Sequence, residues 1–482
     1  MASEKKGKYR RSPGERRPTG QPVELELRDG AYGGRMVARQ EGRVVFVQGG
    51  APGETVRAEV TLEKQRFAEA RAVKIVAPAE ARATPPCMYF GENGHNRGPV
   101  PIGNALTGER GACGGCQYQH LDYDAQLTLK RDIVAGLMQR QARLPDLDVR
   151  PTIPSPSPWR YRNRTRWIVD DEGRPNYHQA ASDRLLPVGL CHIVLPLIDE
   201  ILHHLADEAW RPRLGALVAE ITARVGVPWT EVGPAGIPSP AVSLALHPRP
   251  GAARRDLRTL AKDLGAAIPA LDSIVLGSAL GPGAGASTGA ALWGSRYLDV
   301  RFAGHRFHLS TLTFFQVNEP AAELMVAHVL DTLGDLTGRS VLDIYSGAGA
   351  FTIPIAARAE QVLALENDPL AVEDANSSAK ANGFGNIHVL PGDAGEELSG
   401  LPVNAADAAV LDPPRAGLDE RVVTELARIG VPRIVYVSCD PATLARDLRR
   451  FVDQGYGVDS LQPIDLFPQT YHIESIAVLH KM

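Results

Sequence analysis

The 482-residue sequence predicts a multidomain protein: a small β-barrel, a central α/β domain and a C-terminal doubly wound α/β domain. In the first part of the chain, short strands are separated by glycine-rich turns, as in small barrels. Helices and strands are mixed in the middle. In the last third, apolar strands alternate regularly with helices, which is typical of a sheet covered on both faces.

These patterns indicate a basic tail over 1–20, a barrel over 21–80, a central domain over 81–308 and a doubly wound domain over 309–482. The tail has seven Lys and Arg residues against two Glu, so we expect it to be disordered and weakly attracted to polyanions. The net charge is −4, and no stretch approaches the roughly 18 apolar residues of a membrane helix. We therefore expect a cytoplasmic protein without a membrane partner.

Four segments of the barrel region carry strand signals: VELELRDG, GRMVARQEGRVVFVQG, ETVRAEVTLEKQ and FAEARAVKIVAP. Seven glycines mark the turns in its first half. A closed, OB-like barrel of about 55 residues often binds nucleic acid. A purely structural module is an equally good interpretation of the pattern.

The central domain begins with a segment rich in Pro, Gly and Cys, and an amphipathic helix follows from Tyr123. Beyond it we predict strands at RTRWIVD and HIVLPLI, and helices near 195–223 and 255–264. The glycine-rich stretch over 277–291 predicts a mobile loop.

Four of the five cysteines precede the C-terminal domain, and an odd total in such a chain favours thiol or metal chemistry over disulfides. Cys113 and Cys116 form a CxxC pair, while Cys87 and Cys191 are distant in sequence. Such a set can bind a tetrahedral zinc ion or a [4Fe-4S] cluster through thiolates. From the residues alone, zinc is the favoured interpretation.

The stretch WRYRNRTRW has arginines at alternate positions, which share one face if the chain is extended. Its charged and aromatic residues are Arg160, Arg162, Arg164 and Arg166, with Trp159, Tyr161 and Trp167. Arginines that bind phosphates and aromatic rings that stack on unpaired bases are typical of single-stranded RNA recognition. A solvated edge strand is the alternative.

The first C-terminal motif, VLDIYSGAGAFTIPIA, reads as a strand, a glycine turn and the start of a helix. Gly347 and Gly349 are not followed by the third glycine of a dinucleotide fold, because Thr352 stands there. Glu366 ends the next strand, where a carboxylate can bind ribose hydroxyls. A ribose site without a pyrophosphate site suits a nucleoside cofactor, foremost S-adenosylmethionine.

The second motif, AVLDPPRAGLD, ends a later strand with Asp412 and two prolines. The prolines stiffen the turn and hold the carboxylate at the carboxyl edge of the sheet, facing a bound cofactor. A plain strand-ending turn is the alternative. Arg415 stands where adenine amino-group methyltransferases commonly have an aromatic residue, which argues against methylation of an exocyclic amine.

Cys439, in VYVSCDPATLARDL, follows another strand and precedes a helix, so we expect it at the same edge as Asp412. We also expect the helix N-terminus to favour its thiolate. A thiolate added to C6 of a pyrimidine makes C5 nucleophilic toward a methyl sulfonium, and a base then removes the C5 proton. Glu474, the only carboxylate in the last twelve residues, is the candidate base. A buried structural cysteine and a salt-bridged glutamate are the alternatives.

Together these motifs resemble the RNA uracil-C5 methyltransferases, which make 5-methyluridine with S-adenosylmethionine. The matching stretches, in the family's order, are FFQVN, LDIYSGAGAFTIPIA, LEND, LDPPRAGL, VYVSCDPATLARDL, DLFPQT and HIESIAVL. The resemblance implies that Cys439 is the nucleophile and Glu474 the base. It also implies cofactor contacts from Gln316, Tyr345, Glu366, Asp393 and Asp412. The chain departs from the family at Gln469, where histidine is common.

The resemblance extends to the N-terminal half, since 22–77 looks like a TRAM domain, the RNA-binding barrel of many members. CGGCQYQHL matches the cysteine loop of members that hold a [4Fe-4S] cluster, which implies Cys87, Cys113, Cys116 and Cys191 as its ligands. This chain has 25 residues between the first two of these cysteines, where the family usually has few.

Cluster-bearing bacterial members mostly act on large-subunit ribosomal RNA, so the resemblance implies 23S rRNA ahead of tRNA as the partner of a monomeric enzyme. The target uridine must leave its stack before a thiolate can reach C6. Two rival hypotheses remain: cytosine-C5 methylation by the same thiolate chemistry, and an RNA-binding protein with an inactive methyltransferase domain.

Overall fold

The computed structural model describes residues 22–91, 113–226, 240–278 and 289–482. The predicted basic tail, most of the predicted loop over 277–291 and most of the segment between Cys87 and Cys113 lie outside the described residues.

The described residues form three larger sheets, one hairpin and the helices around them. The strands are β1 (Val23–Glu26), β2 (Asp29–Ala31), β3 (Arg35–Gln40), β4 (Arg43–Gln48), β5 (Thr55–Glu63), β6 (Phe67–Ala77), β7 (Arg164–Val169), β8 (Pro175–His178), β9 (Leu185–Leu186), β10 (Val218–Gly226), β11 (Ala241–Pro248), β12 (Leu271–Leu276), β13 (Ala291–Gly294), β14 (Tyr297–Phe302), β15 (His305–Ser310), β16 (Ser340–Ile344), β17 (Gln361–Glu366), β18 (Ile387–Pro391), β19 (Ala408–Leu411), β20 (Arg433–Ser438), β21 (Tyr456–Ile464) and β22 (Glu474–Lys481). The α-helices are α1 (Tyr123–Leu137), α2 (Pro196–Leu205), α3 (Arg211–Leu217), α4 (Arg254–Ala267), α5 (Glu319–Leu333), α6 (Thr352–Ala356), α7 (Pro369–Ala381), α8 (Ala394–Ser399), α9 (Glu420–Ile429) and α10 (Pro441–Asp453). A π-helical segment, Met138–Ala142, continues α1.

The N-terminal sheet has the strand order β1-β5-β6-β4-β3-β2 and closes on itself. Between β1 and β2, the backbone N–H of Leu27 donates to the carbonyl of Glu54 at 2.8 Å, and that of Arg28 donates to Val37 at 2.9 Å. The continuous segment from β1 to β2 therefore pairs with β5 on one side and with β3 on the other, so the sheet closes into a barrel. Apolar side chains at alternate strand positions fill the interior, among them Leu25, Met36, Val45, Val47, Val56 and Ala68.

The central sheet has the order β13-β12-β11-β10-β7-β8-β9 and is antiparallel except for the β11–β12 pair. The predicted strand at HIVLPLI is wrong, because its last residues begin α2. Pro196 stands at the first helical position, where its missing N–H costs nothing and its fixed φ suits a helix. The predicted helix near 195–223 is also wrong over 218–223, where the β-branched Val218, Ile221 and Thr222 belong to β10.

The C-terminal sheet has the order β18-β17-β16-β19-β20-β22-β21. Its first five strands are parallel, and β22 and β21 complete the sheet as antiparallel strands. The strands predicted within VLDIYS and AVLD and those predicted before Glu366 and Cys439 are present as β16, β19, β17 and β20. The strand order reverses between β16 and β19, and such a switch point at the carboxyl ends of parallel strands is where open α/β sheets bind ligands.

One continuous apolar core joins the barrel interior, α1 and one face of the C-terminal sheet. A fully buried ion pair reinforces this contact, since Nζ of Lys130 in α1 lies 2.7 Å from a carboxylate oxygen of Asp465, which follows β21. The barrel is therefore held close to the edge where the predicted catalytic residues lie. Within the described ranges, no helix has the length and apolar character needed to cross a membrane.

Candidate active site

Three predicted residues from separate motifs meet at the carboxyl edge of the C-terminal sheet. Asp412 directly follows β19, and Cys439 directly follows the neighbouring β20. Glu474 is the first residue of β22, which pairs with β20 in the antiparallel register Ser438↔Ser475. This register brings Glu474 beside the turn that carries the thiol. The half-buried Cys439 thus has a carboxyl neighbour on each of the two adjacent strands.

The surroundings of Cys439 disfavour its thiolate. Burial raises the pKa of the thiol to about 12, with further contributions from the carboxylates of Glu474 and Asp412, while the charge of Arg415 acts in the opposite direction. Our expectation that the helix N-terminus lowers this pKa is wrong. Asp440 caps α10 through hydrogen bonds from the N–H groups of its first turn, and its negative charge adds to the upward shift.

The two carboxyl groups beside the thiol are themselves desolvated. Burial and the charge of Asp412 raise the pKa of Glu474 well above its ordinary value. Burial and the charge of Asp343 raise the pKa of Asp412 to about 7. Because both shifts favour the protonated form, each group is a stronger proton acceptor than an exposed carboxylate when it is ionised.

The glycine turn after β16 is shaped for a ligand. Gly347 and Gly349 have φ values of +55° and +91°, and Tyr345 has φ +64°, a strained conformation for a side chain with a Cβ. The N–H of Gly347 donates to the Glu366 carboxylate at 2.8 Å. Behind the turn, Oδ1 of Asp343 is buried without a hydrogen-bond partner among the described residues.

Two other predicted cofactor residues, Glu366 and Asp393, lie beside this turn, and Gln316 lies in a separate loop. Glu366 ends β17, and Asp393 follows the adjacent β18, where its charge helps raise the pKa of Tyr345 to about 12. Oδ1 of Asp393 also caps α8. Gln316 is buried in the loop between β15 and α5, and its backbone carbonyl accepts a hydrogen bond from Asn163 of the central domain at 3.3 Å.

The four cysteines outside the C-terminal domain converge on one cavity of about 360 Å³. Its cysteine lining consists of Cys87, Cys113, Cys116 and Cys191. All five thiols of the chain are free. Burial is the main cause that raises the pKa of each of the four, and for Cys116 the charges of the other three add to the shift. Among the described residues, no three Cys, His, Asp or Glu side chains are close enough together to hold a single metal ion.

The predicted arginine face is only partly formed. Arg162, Arg164 and Arg166 line a cavity of about 850 Å³, but Arg160 turns away into an ion pair with Asp199. Of the aromatic residues expected to stack on bases, Tyr161 and Trp167 are buried in the protein, because alternate residues of this strand face the core. Trp159 packs edge-to-face on His192. Phe314, which is 64% exposed, supplies an aromatic surface in the same cavity instead.

Comparisons with known proteins agree with this architecture. The family model described as tRNA (uracil-5-)-methyltransferase matches residues 296–482, and the TRAM domain model matches residues 16–73. A protein of Halalkalibacterium halodurans, named as an uncharacterized RNA methyltransferase, is 32% identical over 468 residues, covering 95% of this chain and 96% of its own. The chain belongs to the uracil-5 RNA methyltransferase family. It is an RNA methyltransferase whose N-terminal barrel is a TRAM domain.

Two further proteins match almost the whole length of this chain. A second RNA methyltransferase, also named as uncharacterized, from Caldanaerobacter subterraneus subsp. tengcongensis is 30% identical over 486 residues, covering 96% of this chain and 99% of the relative. The solved structure of Pyrococcus abyssi tRNA (uracil-54, C5)-methyltransferase in complex with S-adenosyl-L-homocysteine superposes with a TM-score of 0.68 at 22% identity, covering 95% of this chain and 100% of that chain. This likeness confirms the predicted multidomain fold.

Three residues of the methyltransferase near the Cys439 turn were not predicted as site residues. Nη2 of Arg415 lies 3.0 Å from a ring nitrogen of His472, and burial together with this neighbouring charge lowers the pKa of His472 to about 4. The hydroxyl of Tyr32, from the TRAM barrel, donates to the backbone carbonyl of Cys439 at 3.4 Å. Arg415 and His472 lie within the recognised motifs LDPPRAGL and HIESIAVL, which was a usable signal. Tyr32 is 407 positions away in sequence and had none.

Proposed function

We propose that the protein transfers a methyl group from S-adenosylmethionine to C5 of a uridine in RNA, with 23S ribosomal RNA as the substrate. The observation that carries this proposal is the meeting of Cys439, Asp412 and Glu474 at one sheet edge. An amine methyltransferase needs no thiol there, whereas C5 of uracil becomes nucleophilic only after addition at C6.

In the proposed reaction, the Cys439 thiolate forms a bond from Sγ to C6 of the uracil, and the electron pair of the C5–C6 double bond moves onto C5 and the oxygen of the adjacent C4 carbonyl. C5 then takes the methyl group, which the bound sulfonium cofactor supplies. Glu474 accepts the remaining C5 proton. The electrons of the broken C5–H bond restore the double bond, and the C6–S bond breaks, which returns the thiolate.

The residues around the glycine turn fit a nucleoside cofactor. Gln316, Tyr345, Glu366, Asp393 and Asp412 would hold it, with the Glu366 carboxylate at the ribose. Oδ1 of Asp343, behind the turn, is buried and has no hydrogen-bond partner among the described residues, as is common for polar atoms at a ligand site. The S-adenosyl-L-homocysteine in the similar archaeal enzyme supports the same cofactor class.

We further propose that the four-cysteine cavity holds a [4Fe-4S] cluster, with Cys87, Cys113, Cys116 and Cys191 as ligands. Four thiols that line one cavity can hold either group, and the match of the cysteine loop to cluster-bearing members of the family favours the cluster over the zinc ion that composition alone favoured. When bound, a cluster can act in electron transfer or as a structural cross-link.

Substrate RNA would enter along the cavity with the three arginines and Phe314, because this surface combines positive charge with an exposed ring. We rank ribosomal RNA first because the cysteine loop is that of ribosomal members of the family. Transfer RNA is the second candidate, favoured by the names of the matching family and of the archaeal enzyme. We expect a cytoplasmic monomer. Light scattering tests the oligomeric state.

The test is incubation of the purified, metal-replete protein with labelled S-adenosylmethionine and separate unmodified ribosomal and transfer RNA pools, followed by nucleoside mass spectrometry. We expect 5-methyluridine in the ribosomal pool. Cys439→Ala should bind the cofactor and form no product, and Cys439→Ser should behave alike because a hydroxyl is a far weaker nucleophile. Label in the tRNA pool alone would overturn the ranking. Label in 5-methylcytidine, or turnover by Cys439→Ala, would overturn the mechanism.

A further inference from the structure

A loop of the TRAM barrel reaches the catalytic turn. Tyr32 follows β2, and Gly33 and Gly34, with φ of +94° and +82°, turn the chain back into β3. These left-handed conformations favour glycine and allow a tight loop that presents the tyrosine outward. The ring of Tyr32 packs edge-to-face on Tyr471, with 6.0 Å between the ring centroids. Tyr471 lies three residues before Glu474.

The hydroxyl of Tyr32 serves the turn that holds the nucleophile. It donates to the backbone carbonyl of Cys439 at 3.4 Å. Burial, with a smaller contribution from the nearby Asp440 carboxylate, raises the pKa of Tyr32 well above its ordinary value, so the hydroxyl keeps the proton that it donates. This hydrogen bond connects the barrel to the turn that carries Cys439. Tyr32 thus joins two parts of the chain that are otherwise far apart in sequence.

The charges around the thiol give this contact a chemical consequence. Cys439 is surrounded by carboxyl groups of Glu474 from β22, Asp412 after β19 and Asp440 in its own turn, and by one cation, Arg415. His472, from the loop before β22, is neutral at pH 7 because its pKa is lowered to about 4. Each carboxylate disfavours the thiolate. The Tyr32 hydroxyl directs its proton toward the Cys439 carbonyl, so the positive end of the O–H dipole lies next to these negative charges and offsets part of their field.

We propose that Tyr32 is a positioning residue of the methyl-transfer reaction: its hydroxyl fixes the Cys439–Asp440 turn and favours ionisation of the nucleophile. The role of the thiol in this proposal rests on the proposed function. The barrel thereby acts on the chemistry as well as on RNA binding. An enzyme whose barrel is displaced would have a less reactive cysteine.

The first measurement is independent of methyl transfer. Iodoacetamide alkylates the thiolate form, so the alkylation rate of Cys439, followed by peptide mass spectrometry between pH 7 and 9.5, reports the thiolate population. For Tyr32→Phe in the full-length, metal-replete protein we expect alkylation at every pH to be slower by roughly fivefold, the worth of one neutral hydrogen bond. In parallel we expect single-turnover methyl transfer to slow by a similar factor, with unchanged dissociation constants for RNA and S-adenosylmethionine.

The matched control is Tyr456→Phe. This hydroxyl also donates to backbone carbonyls, of Leu426 and Val431, but at the end of the β21–β22 pair remote from Glu474. It should lower thermal stability and leave the alkylation rate unchanged. Equal alkylation rates for Tyr32→Phe and the wild type would overturn the proposal. Slower alkylation in a protein that makes no 5-methyluridine would instead overturn the proposed function and keep the positioning role of Tyr32.

Discussion

Glu474 is the residue on which release of the modified RNA depends in the proposed reaction. Until a base takes the proton from C5, the bond between Cys439 and C6 cannot break. Glu474→Gln keeps the shape of the side chain and removes the proton acceptor. We therefore expect product formation to fall by at least about 100-fold and a covalent protein–RNA adduct to accumulate, seen as a slower band on a denaturing gel.

Glu420→Gln, on the exposed surface of α9, is the control for this substitution and should form neither more adduct nor less product than the wild type. An adduct in the Glu474 variant that disappears when Cys439→Ala is added would identify the bonded sulfur. Reduced turnover without any adduct would mean that another group removes the proton.

At the scale of single elements, β7 supplies positive charge to the cavity where RNA is proposed to bind. Arg166 is half-exposed and pairs with Glu220, so Arg166→Gln removes the charge while it keeps a hydrogen-bond donor for that carboxylate. We expect RNA affinity to fall severalfold, and the slope of log K against log salt to become shallower by about 0.7, as one phosphate contact is lost. Fluorescence anisotropy at several salt concentrations measures both.

Arg254→Gln is the comparison for that experiment, because Arg254 is an exposed arginine of the same domain at the start of α4, and it lies outside the residues that line the cavity. Its salt slope should equal that of the wild type. If the two variants lose the same affinity, the effect is one of overall charge and the cavity is not the RNA site.

The first turn of α5 carries a partly buried carboxyl group that makes stability depend on pH. Burial raises the pKa of Glu319 to about 7, although Asn163 donates to it at 2.6 Å and the charge of Arg224 acts the other way. A folded-state pKa above the unfolded value contributes stability that is complete below the unfolded pKa and is lost as pH rises through about 7.

We therefore expect the wild-type melting temperature to fall between pH 5 and pH 8, and Glu319→Gln to reduce this fall. The difference can reach about 3 kcal/mol in the free energy of unfolding. Calorimetry across this range measures it, with the exposed Glu360→Gln as the comparison. A variant whose melting curve follows the wild type at every pH would mean that Glu319 does not titrate in this window.

At the scale of the whole molecule, the cysteine cavity is connected to the loop that leads to Glu474. The backbone N–H groups of Gln117 and Tyr118, which follow Cys116, both donate to the carbonyl of Gln469 at 2.9 Å. Gln469 has φ +69°, a strained conformation that such contacts stabilise. A bound cluster would therefore stabilise the loop conformation at Gln469 through these two hydrogen bonds.

Cys116→Ser should accordingly lose the broad visible absorption of the cluster, melt at a lower temperature and methylate RNA at least about tenfold more slowly. Absorption spectra, iron analysis and the nucleoside assay test this. Cys439→Ser is the converse control, because it should keep the visible absorption of the cluster and lose the methylation activity. Full iron content in the Cys116 variant would exclude this cysteine as a ligand.

The sequence by itself determined the three-part architecture, the C-terminal strands and the residues at their carboxyl ends. These features are local: apolar alternation, glycine turns and strand-ending carboxylates depend on neighbours along the chain. The proposed nucleophile could be named because its motif ends a strand, and parallel strands bring their carboxyl ends to one edge. Glu474 begins an antiparallel strand, and it could be named as the proposed base because it is the only carboxylate in the last twelve residues and because of the family resemblance. The prediction of a strand at HIVLPLI was wrong because the proline inside this segment is compatible with a helix start as well as with a strand end.

Only the tertiary structure decided how these parts act on one another. Burial among carboxyl groups raises the pKa of Cys439, where the helix N-terminus alone predicted a lower one. Pleating turned Tyr161 and Trp167 into the core and left the exposed ring in the cavity to Phe314. The contact of Tyr32 with the catalytic turn spans 407 positions. Such features depend on desolvation and on long-range packing, which arise only when the chain has folded.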